Sequence, residues 1–227
     1  IGVAEPTTFG DVDRASLNMT ELPCEEIAGM IFVILTPGLA IDARSWLGGM
    51  YQDFAALNLE NWYFHKARPM DGANWKVAYD GYLEGYHFQA AHTNTVATRT
   101  PSNRAVYEGF GPHIRLGFPQ NSITQLKDLP RPDWGKMENR GYDFVRILFP
   151  NFSFFLAPEM CQFAQLFPGA TPNRNRTILN YIFPRKPQTD EELKALDEMC
   201  DFFYNVVLEE DFFLGLKVQA GLESGAM

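Results

Sequence analysis

The stretch Arg176-Thr-Ile-Leu-Asn-Tyr-Ile-Phe183, followed across Pro184-Arg-Lys-Pro-Gln188 by Thr189-Asp-Glu-Glu-Leu193, decides the fold class. Its first part is rich in β-branched and aromatic residues and reads as a strand bounded by proline. Its second part opens with acidic residues in a first helical turn, where the helix dipole favours them, and the helical pattern then runs to about Leu222. Upstream, Val106-Tyr-Glu-Gly-Phe110, His113-Ile-Arg-Leu-Gly-Phe118, Phe152-Ser-Phe-Phe-Leu156 and Cys161-Gln-Phe-Ala-Gln-Leu-Phe167 share the strand character and are separated by Gly and Pro. Several strands in succession with short connections imply an antiparallel sheet, and one long closing helix makes the class α+β.

Toward the N-terminus, residues 1–26 are polar, mixed in charge and aperiodic, and read as a leading segment. Ile27-Ala-Gly-Met-Ile-Phe-Val-Ile-Leu-Thr-Pro37 is a continuous apolar run whose length and β-branched content predict a buried strand. Asp42 to Phe54 opens with a capping residue and places Trp46, Leu47, Met50, Tyr51 and Phe54 at helical spacing. Trp62 to Arg68 alternates as a strand, and Asn74 to about Phe88 reads as a helix. With no repeat, low-complexity tract or obvious linker, the expectation is a single domain over 1–227.

Of the 227 residues, 46% are hydrophobic, enough to bury a sizeable core. The 19 Phe, 9 Tyr and 4 Trp supply ring surface suited to an apolar pocket, although ordinary packing would also absorb it. The net charge of −9 argues against a broad nucleic-acid or anionic-membrane surface. No stretch has the length of a transmembrane helix and no signal-peptide pattern opens the chain, so the expected location is cytoplasmic. Cys24, Cys161 and Cys200 are too few and too scattered for a disulfide framework or a local zinc or iron–sulfur motif.

The chemistry gathers around His87 and His92, two of the four histidines. On an unbroken α-helix, five residues leave two side chains about 140° apart, so the helix has to end or distort across Phe88–Ala91 for both imidazoles to face one metal. On spacing alone, two unrelated histidines remain an equal reading. A carboxylate would complete the set, because two imidazoles and one carboxylate on one face of an octahedron leave positions open for oxygen and substrate and suit Fe(II). The late helix offers Glu209, Glu210 and Asp211. Asp211 stands out because it borders an apolar stretch, Phe212-Phe-Leu-Gly-Leu216, where a buried carboxylate needs a partner; Glu209 and Glu210 fit a solvated acidic turn better.

Taken together, Asn74-Trp-Lys76 and Asp80-Gly-Tyr-Leu-Glu-Gly-Tyr-His-Phe-Gln-Ala-Ala-His92 resemble the iron-binding signature of the Rieske non-haem iron oxygenases, the aromatic-ring-hydroxylating large subunits. The Ile27–Pro37 run resembles the segment that follows their Rieske domain, Phe149-Pro-Asn-Phe-Ser-Phe-Phe155 their central strand, and Glu210-Asp211 with Val218-Gln-Ala-Gly-Leu222 the helix bearing their third iron ligand. The matches fall in order over roughly residues 27 to 222. The resemblance implies a helix-grip fold, an antiparallel sheet curled around the C-terminal helix with a deep pocket between them. It implies His87, His92 and Asp211 as ligands of a mononuclear Fe(II), Glu84 as the acidic link to a neighbouring subunit's Rieske cluster, and Asp80 as a residue near the iron. It further implies O2, a small aromatic or apolar substrate, ferredoxin or reductase redox partners, and a homotrimer. Phe88, His113, Tyr204, Val207 and Leu208 are the expected pocket residues; positions three, four and seven before Asp211 share its face of an α-helix.

The sequence departs from the family in lacking the Cys-x-His and Cys-x-x-His pairs that hold a [2Fe–2S] Rieske cluster, so the cluster is expected from a missing domain or another chain. Gly81 also stands where many relatives have Asn. Two readings from other classes stay beside the oxygenase: a helix-grip binding module for an apolar ligand without catalysis, and a zinc hydrolase using the same three side chains.

Overall fold

In the computed structural model, which describes residues 2, 4–13, 15–136, 141–157 and 159–225, the chain forms two compact units, Ile1–Glu60 and Asn61–Met227.

In the first unit, β1 (Cys24–Ile27) and β2 (Met30–Val33) pair antiparallel as a hairpin. The single buried strand expected over Ile27–Pro37 is therefore corrected. Ala28 and Gly29 turn the chain with φ of 52° and 72°. These are the two left-handed residues of a tight hairpin turn. Beyond the turn, Ile31 and Leu35 are 71% and 83% exposed. A side chain at Gly29 would come within 2.5 Å of the Glu60 amide nitrogen, so the turn is closed to any larger residue. The helix expected from Asp42 is two short ones, α1 (Ala43–Leu47) and α2 (Met50–Ala55), divided at Gly48 with φ of 54°. Asp42 caps α1 by accepting from the Ser45 amide at 2.9 Å, and Leu47, Met50 and Phe54 are buried.

The second unit is a seven-stranded antiparallel sheet with a long C-terminal helix. Its strands are β3 (Tyr63–Gly72), β4 (Val106–Phe110), β5 (His113–Pro119), β6 (Tyr142–Leu148), β7 (Phe152–Leu156), β8 (Cys161–Pro168) and β9 (Asn175–Phe183), in the spatial order β3-β9-β8-β7-β6-β5-β4. Of these, only β6 has no counterpart among the strands expected from the sequence. Asp143 and Arg146 interrupt its apolar pattern, and each finds tertiary partners: Asp143 accepts from Gln120 at 2.7 Å, and the Arg146 guanidinium lies over the Phe154 ring.

Residues at a period of two along their strands make the core: Leu116 and Phe118 on β5, Ala164 and Leu166 on β8, Leu179 and Tyr181 on β9. The register sets Ala164 opposite Leu179 and Leu116 opposite Val145, keeping the apolar side chains on one face. Against them pack Cys200, Val207 and Phe212 of the C-terminal helix. That helix comprises α5 (Asp190–Val206), a π-helical turn (Val207–Phe212) and α6 (Phe213–Glu223). Thr189 caps α5, its hydroxyl accepting from the Glu192 amide at 3.1 Å. All three cysteines are free, and no helix among the described residues is long and apolar enough to cross a membrane.

Candidate metal centre

Asn74 opens α3 (Trp75–Gly81), its side chain accepting from the Lys76 amide at 2.8 Å. The helix expected to reach Phe88 stops at Gly81, and the chain turns through residues 82–87 into α4, a single turn over Phe88–Ala91. One break thus falls before the first histidine, and the short helix then ends at Ala91, between the two, as the spacing requires. His87 is the N-cap and His92 the C-cap of this short helix, and the backbone leaves helical geometry at His92 (φ −105°, ψ 34°). The two rings come to 5.1 Å between centroids.

Asp211, on the π-helical turn, completes the group. Its Oδ1 lies 3.1 Å from His87 Nε2 and 3.0 Å from His92 Nε2, and one ligand atom from each residue lies within 4.8 Å of the others. Each imidazole is held from behind by a second carboxylate: His87 Nδ1 by Glu84, and His92 Nδ1 by Glu210. Glu84 is fixed by accepting from the Tyr86 and His87 backbone amides, and Glu210 by accepting from the Thr95 hydroxyl at 2.6 Å. Carboxylates on the outer nitrogens fix the rotation of both rings and direct both Nε2 atoms to the same point.

Burial works to lower the pKa of both histidines, but the hydrogen bonds and charge of Asp211, with Glu84 or Glu210, outweigh it and hold both above the ordinary value. Burial likewise opposes ionisation of Asp211, and the two histidines hold its carboxyl below the usual range. Two imidazole nitrogens and one carboxylate oxygen converging this closely fit a mononuclear transition-metal ion.

A cavity of about 290 Å³ opens beside these residues, its wall largely apolar and including Phe88, Phe118, Val145, Phe155 and Phe203. Phe88 and Val207, expected to line it, do so. His113, Tyr204 and Leu208 do not, and the expectation for these three is corrected. His113 is wholly buried in β5 and accepts at Nδ1 from the Phe149 amide. Tyr204 lies beneath the Arg68 guanidinium, 3.5 Å from its ring centre, and Leu208 packs against the core.

The π-helical turn explains the change on the helix. It adds a residue to the turn, so the face shared with Asp211 passes through Val207, Val206, Phe203 and Phe202 rather than through Leu208 and Tyr204. Asp80 lies in α3 on a second cavity of about 400 Å³, whose wall shares Gly81, Tyr82, Glu84, His87 and Asp211 with the first. Burial raises the Asp80 carboxyl and Lys76 partly offsets it.

Glu210 is the residue that sequence reasoning misassigns. A solvated turn is expected there, yet its side chain is 22% exposed and engages His92. The adjacent pair Glu210-Asp211 is the available signal. In a regular α-helix successive residues diverge by about 100°, and the wider π turn reduces that angle, so both carboxylates reach one site. Thr95, which fixes Glu210, leaves no comparable trace in the sequence.

A family model described as the ring hydroxylating alpha subunit (catalytic domain) matches residues 59–227. No curated protein matches at a significant level. Among solved structures, the quaternary ammonium Rieske monooxygenase CntA in complex with an inhibitor superposes with a TM-score of 0.77 at 19% identity, over 98% of this chain and 57% of that one. The L-carnitine complex of CntA gives a TM-score of 0.75 at 18% identity, over 97% and 56%. A further CntA structure, described in terms of carnitine oxidation by gut microbiota and inter-subunit electron transfer, gives 0.75 at 19%, over 99% and 59%. At these identities the likeness is one of fold, and the chain spans a little over half the length of these relatives.

Proposed function

The chain belongs to the ring-hydroxylating alpha subunits, as a catalytic domain, and from that premise we propose that it is the oxygen-activating part of an iron-dependent oxygenase. The observation that carries this reading is the convergence of His87 Nε2, His92 Nε2 and Asp211 Oδ1. These three would hold Fe(II), which when bound supplies the activation of O2 for hydroxylating the substrate, by one oxygen atom or two. The protein's own part is positional. Glu84 and Glu210 keep the ligand nitrogens aimed, and the apolar wall holds an aromatic or other apolar substrate and excludes water. Asp80 stands in the proposed assignment as a neighbouring polar residue, and the sheet around the closing helix as a helix-grip arrangement.

Glu84 also has a proposed role toward an electron donor. Its side chain is 40% exposed while its carboxylate touches His87 Nδ1, so it joins a ligand to the surface. The sequence has no Cys-x-His or Cys-x-x-His pair, so the [2Fe–2S] Rieske cluster is assigned to a segment or chain beyond this sequence, fed by a ferredoxin or reductase. A ring of three subunits, each presenting its cluster to the next catalytic domain, satisfies every interface by closed symmetry. In this assembly residues 1–227 form one catalytic domain.

A second substrate reading has its own support. Phenylalanine faces attract cations, the cavity wall carries Glu84, Asp143 and Asp211 against Arg99, and CntA takes quaternary ammonium ligands. A methylammonium group is therefore the alternative to an aromatic ring.

Metal analysis after anaerobic Fe(II) reconstitution tests the central claim. About one iron per chain, lost in His87→Ala and His92→Ala, is expected. A chain that binds no metal is a binding module, and one that takes zinc and hydrolyses an ester or amide is a hydrolase. For the electron link, Glu84→Gln keeps a hydrogen bond to His87 while removing the charge. It should retain iron and lose donor-coupled turnover in the assembled oxygenase; normal turnover removes the link.

A further inference from the structure

Two cavities meet the candidate metal centre from different sides. The one of about 290 Å³ is walled in part by strands, through Phe118 of β5, Val145 of β6 and Phe155 of β7. The other, of about 400 Å³, lies between α3 and α6, with Val77 on the first helix and Gly215 and Val218 on the second. Gly81, Tyr82, Glu84, His87 and Asp211 border both. Two of the three ligand residues thus stand between the cavities. The second cavity opens outward past Leu214 and Leu222, which are 36% and 46% exposed.

The hollow between the helices is built in. Gln219 of α6, 4% exposed, accepts at Oε1 from the Asn74 amide at 3.0 Å and so ties α6 to the start of α3. Small residues face the gap. A Cβ at Gly215 would meet Ala73 Cβ and Val77 Cγ1 at 3.9 Å, ordinary contact, and one at Gly81 would meet nothing within 4 Å. Larger side chains would therefore fit where glycine stands, and filling a void between packed helices adds dispersion contacts. Glycine inside a helix is also less stable than alanine there. The space beside His87 and Asp211 is thus kept open at the expense of stability.

On the reading that the triad holds Fe(II), we propose that the cavity between α3 and α6 is the entry route of O2, separate from the cavity that takes the substrate. A substrate seated against Phe118, Val145 and Phe155 lies across the approach from the sheet side, while the approach between the helices stays clear. O2 is small and uncharged, and the route's wall is largely apolar. Apolar cavities give water few partners and take up apolar gases such as xenon. At the inner end the carboxylates of Glu84 and Asp211 are engaged by the histidines, so they add no free anion to the path.

The test follows a gas to the metal without turnover. Nitric oxide is an uncharged diatomic like O2 and colours Fe(II) on binding, so stopped-flow absorbance reads its association rate on the full chain loaded anaerobically with iron. Val206→Trp fills part of the sheet-side cavity and serves as the background, since Val206 borders that cavity and not the other. In this background Gly215→Leu should slow association about tenfold, and in the otherwise wild-type chain by less than about twofold, because the sheet side is then open. Gly215→Leu alone should melt at or above the wild-type temperature, as cavity-filling substitutions do. Val218→Phe fills the same space from the next turn of α6 and repeats the measurement. Crystals pressurised with xenon give an independent reading, with xenon expected among Val77, Gly215 and Val218.

Association that stays within about twofold when Gly215→Leu and Val218→Phe are each added to Val206→Trp would overturn the proposal. A cavity between α3 and α6 that takes up no xenon would do the same. Iron content separates the two levels. A chain that holds iron and shows neither effect loses only this route, and a chain that holds no iron loses the oxygenase reading.

Discussion

Removing Glu210 should loosen the metal while leaving the helix intact. Its carboxylate touches His92 Nδ1 and accepts from Thr95 at 2.6 Å, at a point where the His92 side chain is only 3% exposed. Glu210→Ala removes a charge-assisted hydrogen bond, of the order of 1.5–3 kcal/mol, and frees the imidazole to rotate away from Asp211. Part of that energy is recovered by water entering the gap, so the expected loss of Fe(II) affinity is about 10- to 100-fold, the range found when such outer partners of a metal-bound histidine are removed. Glu210→Gln keeps an acceptor but not the charge, and should fall between the alanine variant and wild type. Anaerobic competition against a chromophoric chelator reads the dissociation constants directly, and far-UV circular dichroism checks the helix. Iron affinity in Glu210→Ala within about twofold of wild type would refute the reasoning, since the carboxylate would then be a bystander to His92.

Four further outcomes follow from the same geometry. Asp211→Ala should abolish iron retention while thermal melting stays cooperative, because the core contacts of Val207 and Phe212 remain; an alanine variant that keeps stoichiometric iron removes Asp211 from the ligand set. Iron affinity should rise with pH through and beyond 6.5, since both histidines titrate above that ordinary value and must lose their protons to bind metal, and a flat profile in the chelator titration contradicts this. The metal-free protein runs the other way. The histidines' raised pKa values stabilise it fully below 6.5, and that contribution is lost as pH rises through them. Asp211, held under 3.8, contributes above that value and loses its contribution as pH falls through the lowered one, so the melting temperature of the metal-free chain should peak between the two. Finally, a Cβ at position 72 would lie 2.6 Å from the Phe212 ring and 2.8 Å from Asn175 Nδ2. Gly72→Ala should therefore cost about 1–3 kcal/mol in urea unfolding and weaken iron binding by displacing the neighbour of Asp211; an unchanged midpoint shows that the ring moves freely.

Elements whose cause is local are legible in the sequence. Thr189 and Asn74 sit where helix caps belong, and each does cap its helix. The two-residue period of Leu116 and Phe118, or of Leu179 and Tyr181, marks strands that the structure forms. The residue types of the candidate centre are visible too, because His87 and His92 lie on either side of one short helical turn.

What the sequence by itself determined is thus an antiparallel sheet and a long closing helix, governed by interactions within a few residues, together with side chains of the types that ligate metals. Tertiary structure decided the rest. Whether Ile27–Pro37 is one strand or half a hairpin depends on Ala28 and Gly29 accepting positive φ, and β6 depends on partners for Asp143 and Arg146. The π-helical turn decides which side chains face the cavity, replacing Tyr204 and Leu208 with Phe203 and Val206. Glu210 gains its place on His92 from 118 residues away, and Asp211 meets His87 from 124. No local pattern encodes such a meeting, because hydrogen-bond partners separated by half the chain are set by how the sheet and helix pack.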